Sequence, residues 1–175
     1  AKELWTEGLK EVGQSAPTLE LLTDDTTNAK RSAEYFQSTL QQNLPGLKVT
    51  IATVPFKTRL SRSQNGQFDM VISAWSADFP DAISFLDLFT SDNSYNDGKW
   101  SNAEYDALIK QSKTTDATNA TARWNTLLKA QELLTKEQGV VPLYQRVQTT
   151  LQRKTITGLN YNPTNSYNFV NAKVK

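Results

Sequence analysis

A run of apolar residues near the middle of the chain leads directly into an aromatic side chain and a carboxylate. The run extends from Phe68 to Ala74, Trp75 and Asp78 follow it, and Pro80 prevents a strand from continuing. In a parallel sheet, such a run brings the residues after it to the carboxyl edge, where open α/β folds bind their ligands. Trp75 beside Asp78 suits a ligand with an apolar body and a positively charged end. A structural role fits equally well, with Asp78 as a helix cap and Trp75 in the core.

Helical and extended patterns alternate from the amino terminus up to this run. The predicted helices cover residues 1–11, 28–42 and 56–64, and the predicted strands cover residues 18–23, 47–54 and 68–74. Strands that alternate with helices need crossover connections, which are right-handed and make neighbouring strands parallel. The sequence therefore predicts an α/β fold with a mainly parallel sheet flanked by helices.

The second half of the chain is mainly helical and then extended. Ser101 and Glu104 have the spacing of a capping box at the start of a helix over 102–112. The other predicted elements are helices over 83–89 and 117–137, strands over 139–144 and 169–174, and an extended stretch over 147–151. The 175 residues are enough for one domain with a real core, and no repeat or low-complexity segment is present, so we predict a single α/β domain over residues 1–175.

Composition excludes many classes of function. The 175 residues include no cysteine and no histidine, which removes thiol nucleophiles, the usual zinc sites and histidine-based acid–base catalysis. The 19 basic residues are scattered and nearly balance the 18 acidic ones, so we predict no nucleic-acid partner. The chain opens directly in a predicted helix with no leader before it, which suggests a piece of a longer protein.

Two acidic patterns resemble known kinds of site, and neither has the features that the site requires. Asp78, Asp81 and Asp87 could supply the carboxylate pair of a glycoside hydrolase, but Asp81 and Asp87 have ordinary places on a short helix. The loop that starts at Asp92 resembles a calcium loop, but its glycine, Gly98, comes one position too late. We predict no catalytic residue, no metal site and no cofactor.

The passage around Trp75 also resembles a known family. Its residues 68–69, 74–78 and 84–86, together with 93–96, 105–106, 140–144 and 165–169, are similar to the C-terminal lobe of the oligopeptide-binding proteins. These are the extracytoplasmic substrate-binding components of peptide ABC transporters. The resemblance covers most of the chain, and the strand followed by Trp75-Ser76-Ala77-Asp78 is its most specific part. It implies a lobe of the type II periplasmic-binding-protein-like fold, with residues 1–175 as one lobe plus the tail of a longer two-lobed protein.

The resemblance implies a set of ligand-binding residues. Asp78 would hold the α-ammonium of a bound peptide, and Trp75, Ser76 and Ala77 would line the edge of the strand beside it. Phe56 falls where some members place a pocket tryptophan. Tyr167 and Asn168 fall near a tail segment that can approach the cleft. The peptide would lie extended between two lobes and pair with main chain, which accepts many sequences.

One departure from the family bears on peptide length. Some members carry basic residues that meet the peptide's carboxylate, at positions that correspond here to Ser63, Gln64 and Ile72. None of these is charged, so a carboxylate clamp at those positions is not expected. A longer or less length-restricted peptide is the expectation that follows.

The resemblance also implies partners and a location. We expect oligopeptides and the membrane permease of an ABC transporter as partners of a monomeric binding protein. The full-length protein would be lipid-anchored at the extracellular face of the membrane, or periplasmic in a Gram-negative cell. The alternatives are a relative for a sugar, a metal chelate or a signalling peptide, a hydrolase with an aspartate pair, and a purely structural surface domain.

Overall fold

The chain divides into two compact units, each with its own core. The computed structural model describes residues 1–147, 149–162 and 166–175, with Ser166 described by its backbone only. The first unit covers Ala1–Ala74 and the second Trp75–Lys175. The prediction of a single lobe over the whole chain therefore remains a prediction, and each unit is described by itself.

The first unit is a three-stranded parallel sheet with helices in its connections. Its elements are α1 (Lys2–Glu11), β1 (Thr18–Asp24), α2 (Thr27–Asn43), β2 (Lys48–Val54), α3 (Phe56–Gln64) and β3 (Met70–Val71). The strand order is β2-β1-β3, and both pairings are parallel. Leu21 in the central strand lies opposite Ile51 on one side and Met70 on the other. This part of the α/β prediction is confirmed.

The core of the first unit lies between the sheet and α2. Its buried members are Leu21, Ala33, Leu47 and Val49, and partly buried side chains from α1, α2 and all three strands pack around them. Leu22, on the other face of β1, is 0% exposed, so the central strand is covered on both faces. Strands buried on both faces are typical of parallel sheets, whose crossover helices cover them.

The second unit is built on helices, followed by short hairpin-like pairings in the tail. Its helices are α4 (Ile83–Leu86), continued by a 3₁₀ turn over Asp87–Phe89, α5 (Ala103–Lys113) and α6 (Ala120–Lys136). β4 (Ile156–Thr157) pairs with β7 (Lys173–Val174), and β5 (Asn160–Asn162) pairs with β6 (Ser166–Asn168); both pairings are antiparallel. Among the described residues, no helix is long and apolar enough to cross a membrane.

The core of the second unit is centred on Tyr105 of α5. Tyr105 is 0% exposed, and its hydroxyl donates a 2.5 Å hydrogen bond to the carbonyl of Leu86. Burial, helped by the negative charges of Asp87 and Asp106, raises the pKa of this phenol far above its usual range. Tyr105 therefore keeps its proton and joins α4 to α5.

Side-chain caps fix the starts of three helices. Thr26 accepts from the amide of Ala29, as its place before α2 predicts, and Asn119 accepts from the amide of Ala122 at the start of α6. The predicted capping box at Ser101 is wrong. The cap of α5 is Asn102, which accepts from the amide of Tyr105, so the helix begins one residue later than predicted.

Several predicted strands are shorter than expected or absent. In the predicted strand 68–74 only Met70–Val71 is assigned as strand, and in 169–174 only Lys173–Val174. Residues 139–144 form no strand, and the described residues of 147–151 form none either, residue 148 lying outside the description. All these segments have strand-forming composition, but the described strand pairings include none of residues 139–144 and none of the described part of 147–151. Composition alone therefore misassigned them.

Gly46 gives a test of the connection between α2 and β2. Its φ is +82°, and a Cβ there would lie 2.5 Å from the carbonyl oxygen of Ser15. We expect Gly46→Ala to lower the free energy of unfolding by more than about 1 kcal/mol, measured by urea titration. Gly8 in α1, with nothing within 4 Å of its would-be Cβ, is the matched control. Gly8→Ala should stabilise by about 0.5–1 kcal/mol, and equal effects at both positions would contradict the geometry.

Candidate functional site

The carboxyl edge of the parallel sheet is built from three segments of the first unit. β1 ends at Asp24, and the segment that leaves β3 reaches Ser73 after a hydrogen bond from the amide of Ile72 to the carbonyl of Leu22. α3 begins at Phe56, directly after β2, so its first turn lies at this edge. The edge is where open α/β sheets bind ligands.

Arg59 connects these three segments. Its side chain is 4% exposed, and its Nε donates to Asp24 Oδ1 at 3.1 Å. Its Nη1 donates to Ser73 Oγ at 3.3 Å, and its Cζ lies 5.2 Å from the ring centroid of Phe56. A cation at this distance from an aromatic ring is attracted by the ring's quadrupole. One guanidinium thus contacts the end of β1, the exit of β3 and the start of α3.

Phe56, predicted as a pocket residue, is exposed over 56% of its surface at this edge. An exposed phenylalanine held from one side by a buried cation offers its free side to an apolar group. The sequence prediction included Phe56 but missed Arg59. The available signal was their spacing, because residues three apart on a helix lie on one face.

Trp75 opens the second unit and is paired with Tyr95. The two ring centroids are 4.9 Å apart at an interplanar angle of 62°, an edge-to-face contact. Trp75 is 37% and Tyr95 53% exposed, so the pair forms an aromatic step on the surface of this unit. The alternative that Trp75 belongs to the core is wrong. Tyr95 was not among the predicted site residues, although it is one of few aromatics outside helical stripes.

Asp78 has an exposed carboxylate, and no described residue donates a hydrogen bond to it or forms an ion pair with it. The backbone of Asp78 is held in place, because its amide donates to Ser84 Oγ at 3.0 Å. Ser76 and Ala77 precede it, the first exposed and the second half-buried. The segment therefore presents a free carboxylate on a fixed backbone.

Asp81 has the capping role that was considered for Asp78. Its Oδ1 accepts a hydrogen bond from the amide of Ile83 at 2.9 Å, and its two oxygens accept from Arg123 at 2.8 and 3.0 Å. The hydrogen bonds from Arg123 lower the pKa of Asp81, burial opposes them, and the amide of Ile83 lowers it further. Asp81 is therefore a structural carboxylate, and the idea that Asp78 caps the helix is wrong.

Tyr167 and Asn168 lie together on β6. Tyr167 is opposite Tyr161 in the β5–β6 pairing, with ring centroids 5.2 Å apart, and its hydroxyl is hydrogen-bonded to that of Thr150. Asn168 is exposed, and its Oδ1 accepts from the amide of Val170 at 2.9 Å. Both predicted residues are on the same short strand. Their contact with a ligand remains a prediction.

The predicted site residues fall in both units. Phe56 belongs to the first, and Trp75, Ser76, Ala77, Asp78, Tyr167 and Asn168 belong to the second. Within the second unit, one continuous segment carries Trp75 to Asp78. Within the described part of the chain, no group of three or more acidic side chains could hold a metal ion.

The loop rejected as a calcium site is an ordered turn rather than a fully solvated one. Asn96 in this loop is 2% exposed, and its Nδ2 donates to the carbonyls of Thr90 and Trp100 at 3.2 and 2.7 Å. These bonds close the loop on itself. The loop carries Tyr95, so they also help to hold the partner of Trp75.

Comparison with known proteins decides the family. Residues 1–97, more than half of the chain, match the family described as bacterial extracellular solute-binding proteins, family 5. The chain belongs to this family. Family 5 proteins are transport binding proteins rather than enzymes, which removes the hydrolase alternative.

Relatives of this family 5 chain are much longer than it is. A dipeptide-binding protein of Lactococcus lactis subsp. cremoris (strain MG1363) is 40% identical over 178 residues, covering 100% of the chain and 32% of that protein. The structure of Listeria monocytogenes OppA bound to peptide is 38% identical with a TM-score of 0.85, covering 99% of the chain and 33% of that one. The chain thus spans about a third of the length of these relatives.

A third relative has a different kind of name. The probable deoxycholate-binding periplasmic protein YgiS of Escherichia coli (strain K12) is 36% identical over 99 residues, covering 57% of the chain and 18% of that protein. The solved structures are type II periplasmic-binding-protein-like peptide binders. Together with the parallel sheet and its helices, they confirm the predicted fold class.

The pair of Asp81 and Arg123 predicts a dependence of stability on pH. The folded-state pKa of Asp81 lies below 3.8, its value without these partners. The stabilisation is therefore fully present above that value and is lost as the pH falls through the folded-state pKa. We expect Asp81→Asn to lower the free energy of unfolding at neutral pH by about 1 kcal/mol, because the pair is only partly shielded from solvent.

Urea titrations of wild type and variant over a series of pH values test this. The difference between their free energies of unfolding should shrink towards zero as the pH falls through the folded-state pKa of Asp81. Arg123→Met, which removes the other partner, should show the same trend. A difference that stays constant below the folded-state pKa would contradict the assignment.

Proposed function

We propose that the chain is a peptide-binding lobe of the substrate-binding component of an oligopeptide ABC importer. In this proposal Asp78 holds the α-ammonium of the bound peptide. The observation that carries it is the exposed Asp78 carboxylate, which has no partner among the described residues and stands on a backbone fixed by Ser84. A charged hydrogen bond from an ammonium to such a carboxylate is worth about 1.5–3 kcal/mol.

The aromatic residues support the same proposal. Trp75, three residues before Asp78, is exposed and packs against Tyr95, so an apolar group next to the ammonium would find an aromatic surface. Phe56 offers a second exposed ring at the sheet edge of the first unit. In the proposed protein the two units belong to one lobe, and Tyr167 and Asn168 approach the cleft from the tail.

The proposed mechanism is capture between two lobes. The peptide lies extended, its main chain pairs with protein main chain, and a hinge motion closes the lobes around it. The closed, monomeric form then delivers the peptide to the membrane permease. Names of relatives place them in the periplasm, and we propose an extracytoplasmic location for this protein, with a lipid anchor on a Gram-positive surface.

Ser63, Gln64 and Ile72 stand where some family members carry basic residues for the peptide carboxylate. Their uncharged side chains support a binder without strict selection of peptide length. Ser63 is 0% exposed, and its Oγ donates to the carbonyl of Arg59 at 2.8 Å. Ile72 is packed against the core of the first unit, and Gln64 is an uncharged side chain at the end of α3. No residue at these three positions carries a charge for a peptide carboxylate.

A non-peptide cargo is the second candidate, favoured by the name of the Escherichia coli relative. Deoxycholate carries a carboxylate and no ammonium. An unpaired aspartate is a poor partner for such a ligand, because two negative charges repel each other. The state of Asp78 therefore favours the peptide.

The test is calorimetric titration of the whole protein with short peptides that are free or acetylated at the amino terminus. We expect acetylation to weaken binding by about tenfold or more, because it removes the charge that Asp78 meets; tenfold corresponds to about 1.4 kcal/mol. Asp78→Asn should weaken binding of the free peptides by a similar factor. Acetylation should then cost little more in the variant, since both changes remove the same contact.

The matched control is Asp92→Asn, another exposed aspartate of the second unit without a described partner. It should leave peptide affinity unchanged. Binding that is insensitive to both acetylation and Asp78→Asn would remove Asp78 from the site. Binding of deoxycholate and of no peptide would replace the peptide proposal with the second candidate.

A further inference from the structure

Arg59 is an unusual residue for a purely structural role. A buried guanidinium loses its hydration and is normally compensated by a full set of acceptors. The group has five N–H donors, and described residues accept from two of its nitrogens, Asp24 from Nε and Ser73 from Nη1. No acceptor among the described residues takes the remaining three N–H groups.

The free donors lie in the plane of the guanidinium, at the carboxyl edge of the sheet. The ring of Phe56 lies over the group, with 5.2 Å between Cζ and the ring centroid, and covers its face rather than its in-plane hydrogens. The side chain keeps 4% of its surface exposed. With so little surface open, we expect a ligand to reach the group through a single small atom rather than through a side chain.

We infer that Arg59 is a ligand-binding residue, which donates a hydrogen bond to a main-chain carbonyl oxygen of the bound peptide. This inference rests on the proposed function. It adds a contact in the first unit that is separate from the ammonium contact of Asp78. It also assigns a use to a charge that the structure buries at the edge where ligands bind.

The charges around Arg59 determine which kind of ligand oxygen it can donate to. Asp24 lies 3.1 Å away and already neutralises the guanidinium. A peptide carboxylate would place a second negative charge beside one cation, whereas a main-chain carbonyl adds a dipole and no net charge. Every residue of an extended peptide has such a carbonyl, so the contact would be independent of peptide sequence.

Arg62 is a natural control on the same helix. It pairs with Glu20 of β1 at 2.5 Å and donates to the carbonyl of Gln67 at 3.0 Å, one helical turn further from the edge. Both arginines join α3 to β1, but only Arg59 reaches the edge. Arg59→Met and Arg62→Met therefore each remove an ion pair between α3 and β1, a buried one at the edge and a more exposed one further from it.

The first measurement is calorimetric titration of the whole protein with a short peptide as its acid and as its amide. We expect Arg59→Met to weaken binding of both forms equally, by about tenfold, and Arg62→Met to change it by less than twofold. In wild type, amidation should have little effect. A loss confined to the acid form would overturn the inference, because it would identify the partner as the carboxylate.

The second measurement separates direct contact from positioning of Phe56 or Ser73. An ester carbonyl is a weaker hydrogen-bond acceptor than an amide carbonyl, so each amide of the peptide is replaced by an ester in turn. An ester also lacks the amide N–H, and that loss is common to all three proteins. At one position the ester should therefore weaken binding to wild type and to Arg62→Met clearly more than to Arg59→Met. Equal ester effects in all three proteins at every position would overturn the direct contact.

The experiments separate a folding defect, an error about Arg59 and an error about the proposed function. Urea titration shows whether Arg59→Met folds; if it does not, Arg59→Lys keeps a cation near Asp24, lacks the planar fork, and enters the same ester comparison. If wild type binds free peptides but the ester effects are equal in all three proteins, the role of Arg59 is overturned and the proposed function stands. Wild type that binds no peptide overturns the proposed function and this inference together.

Discussion

The parallel pairing of β1 with both β2 and β3 is the constraint on which the first unit depends. Leu21 lies between Ile51 and Met70, and a strand paired in parallel on both sides needs crossover connections, which are usually helices. The crossovers bury both faces of β1 and bring the ends of the strands to one edge. Because α3 starts immediately after β2, its first turn is brought to that edge as well, and Phe56 and Arg59 follow from this placement.

Polar groups in the two units divide into those with partners and those without. Asp81 accepts from Arg123 and from a backbone amide, and Asn96 donates to two carbonyls. Both side chains therefore have a structural role within the fold. Asp78 and the three remaining N–H donors of Arg59 have no such explanation within the described residues. A free carboxylate can accept from an ammonium, and free N–H donors can bind a carbonyl oxygen; these are two groups that every peptide carries.

Prediction from sequence succeeded where the signal is local. The cap at Thr26 and the alternation of α1 to β3 follow from residue chemistry within a few positions, and both were found. It failed where a partner decides the outcome. Residues 139–144 have strand-like composition but form no strand. Asn102 rather than Ser101 caps α5, because the side chain of Asn102 accepts from the amide of Tyr105.

The sequence by itself determined the fold class, the family and the chemical character of the candidate site. Periodicity, helix caps and the passage from Trp75 to Asp78 depend only on residues that are close in sequence, so they can be recognised without the fold. Tertiary structure alone decided which charges are already used. Asp78 and Asp81 are indistinguishable as residue types three positions apart, and only the approach of Arg123 from α6 makes one structural and leaves the other free. Likewise, Arg59 becomes a candidate binding residue only because folding brings Asp24 and Ser73, distant in sequence, to two of its nitrogens.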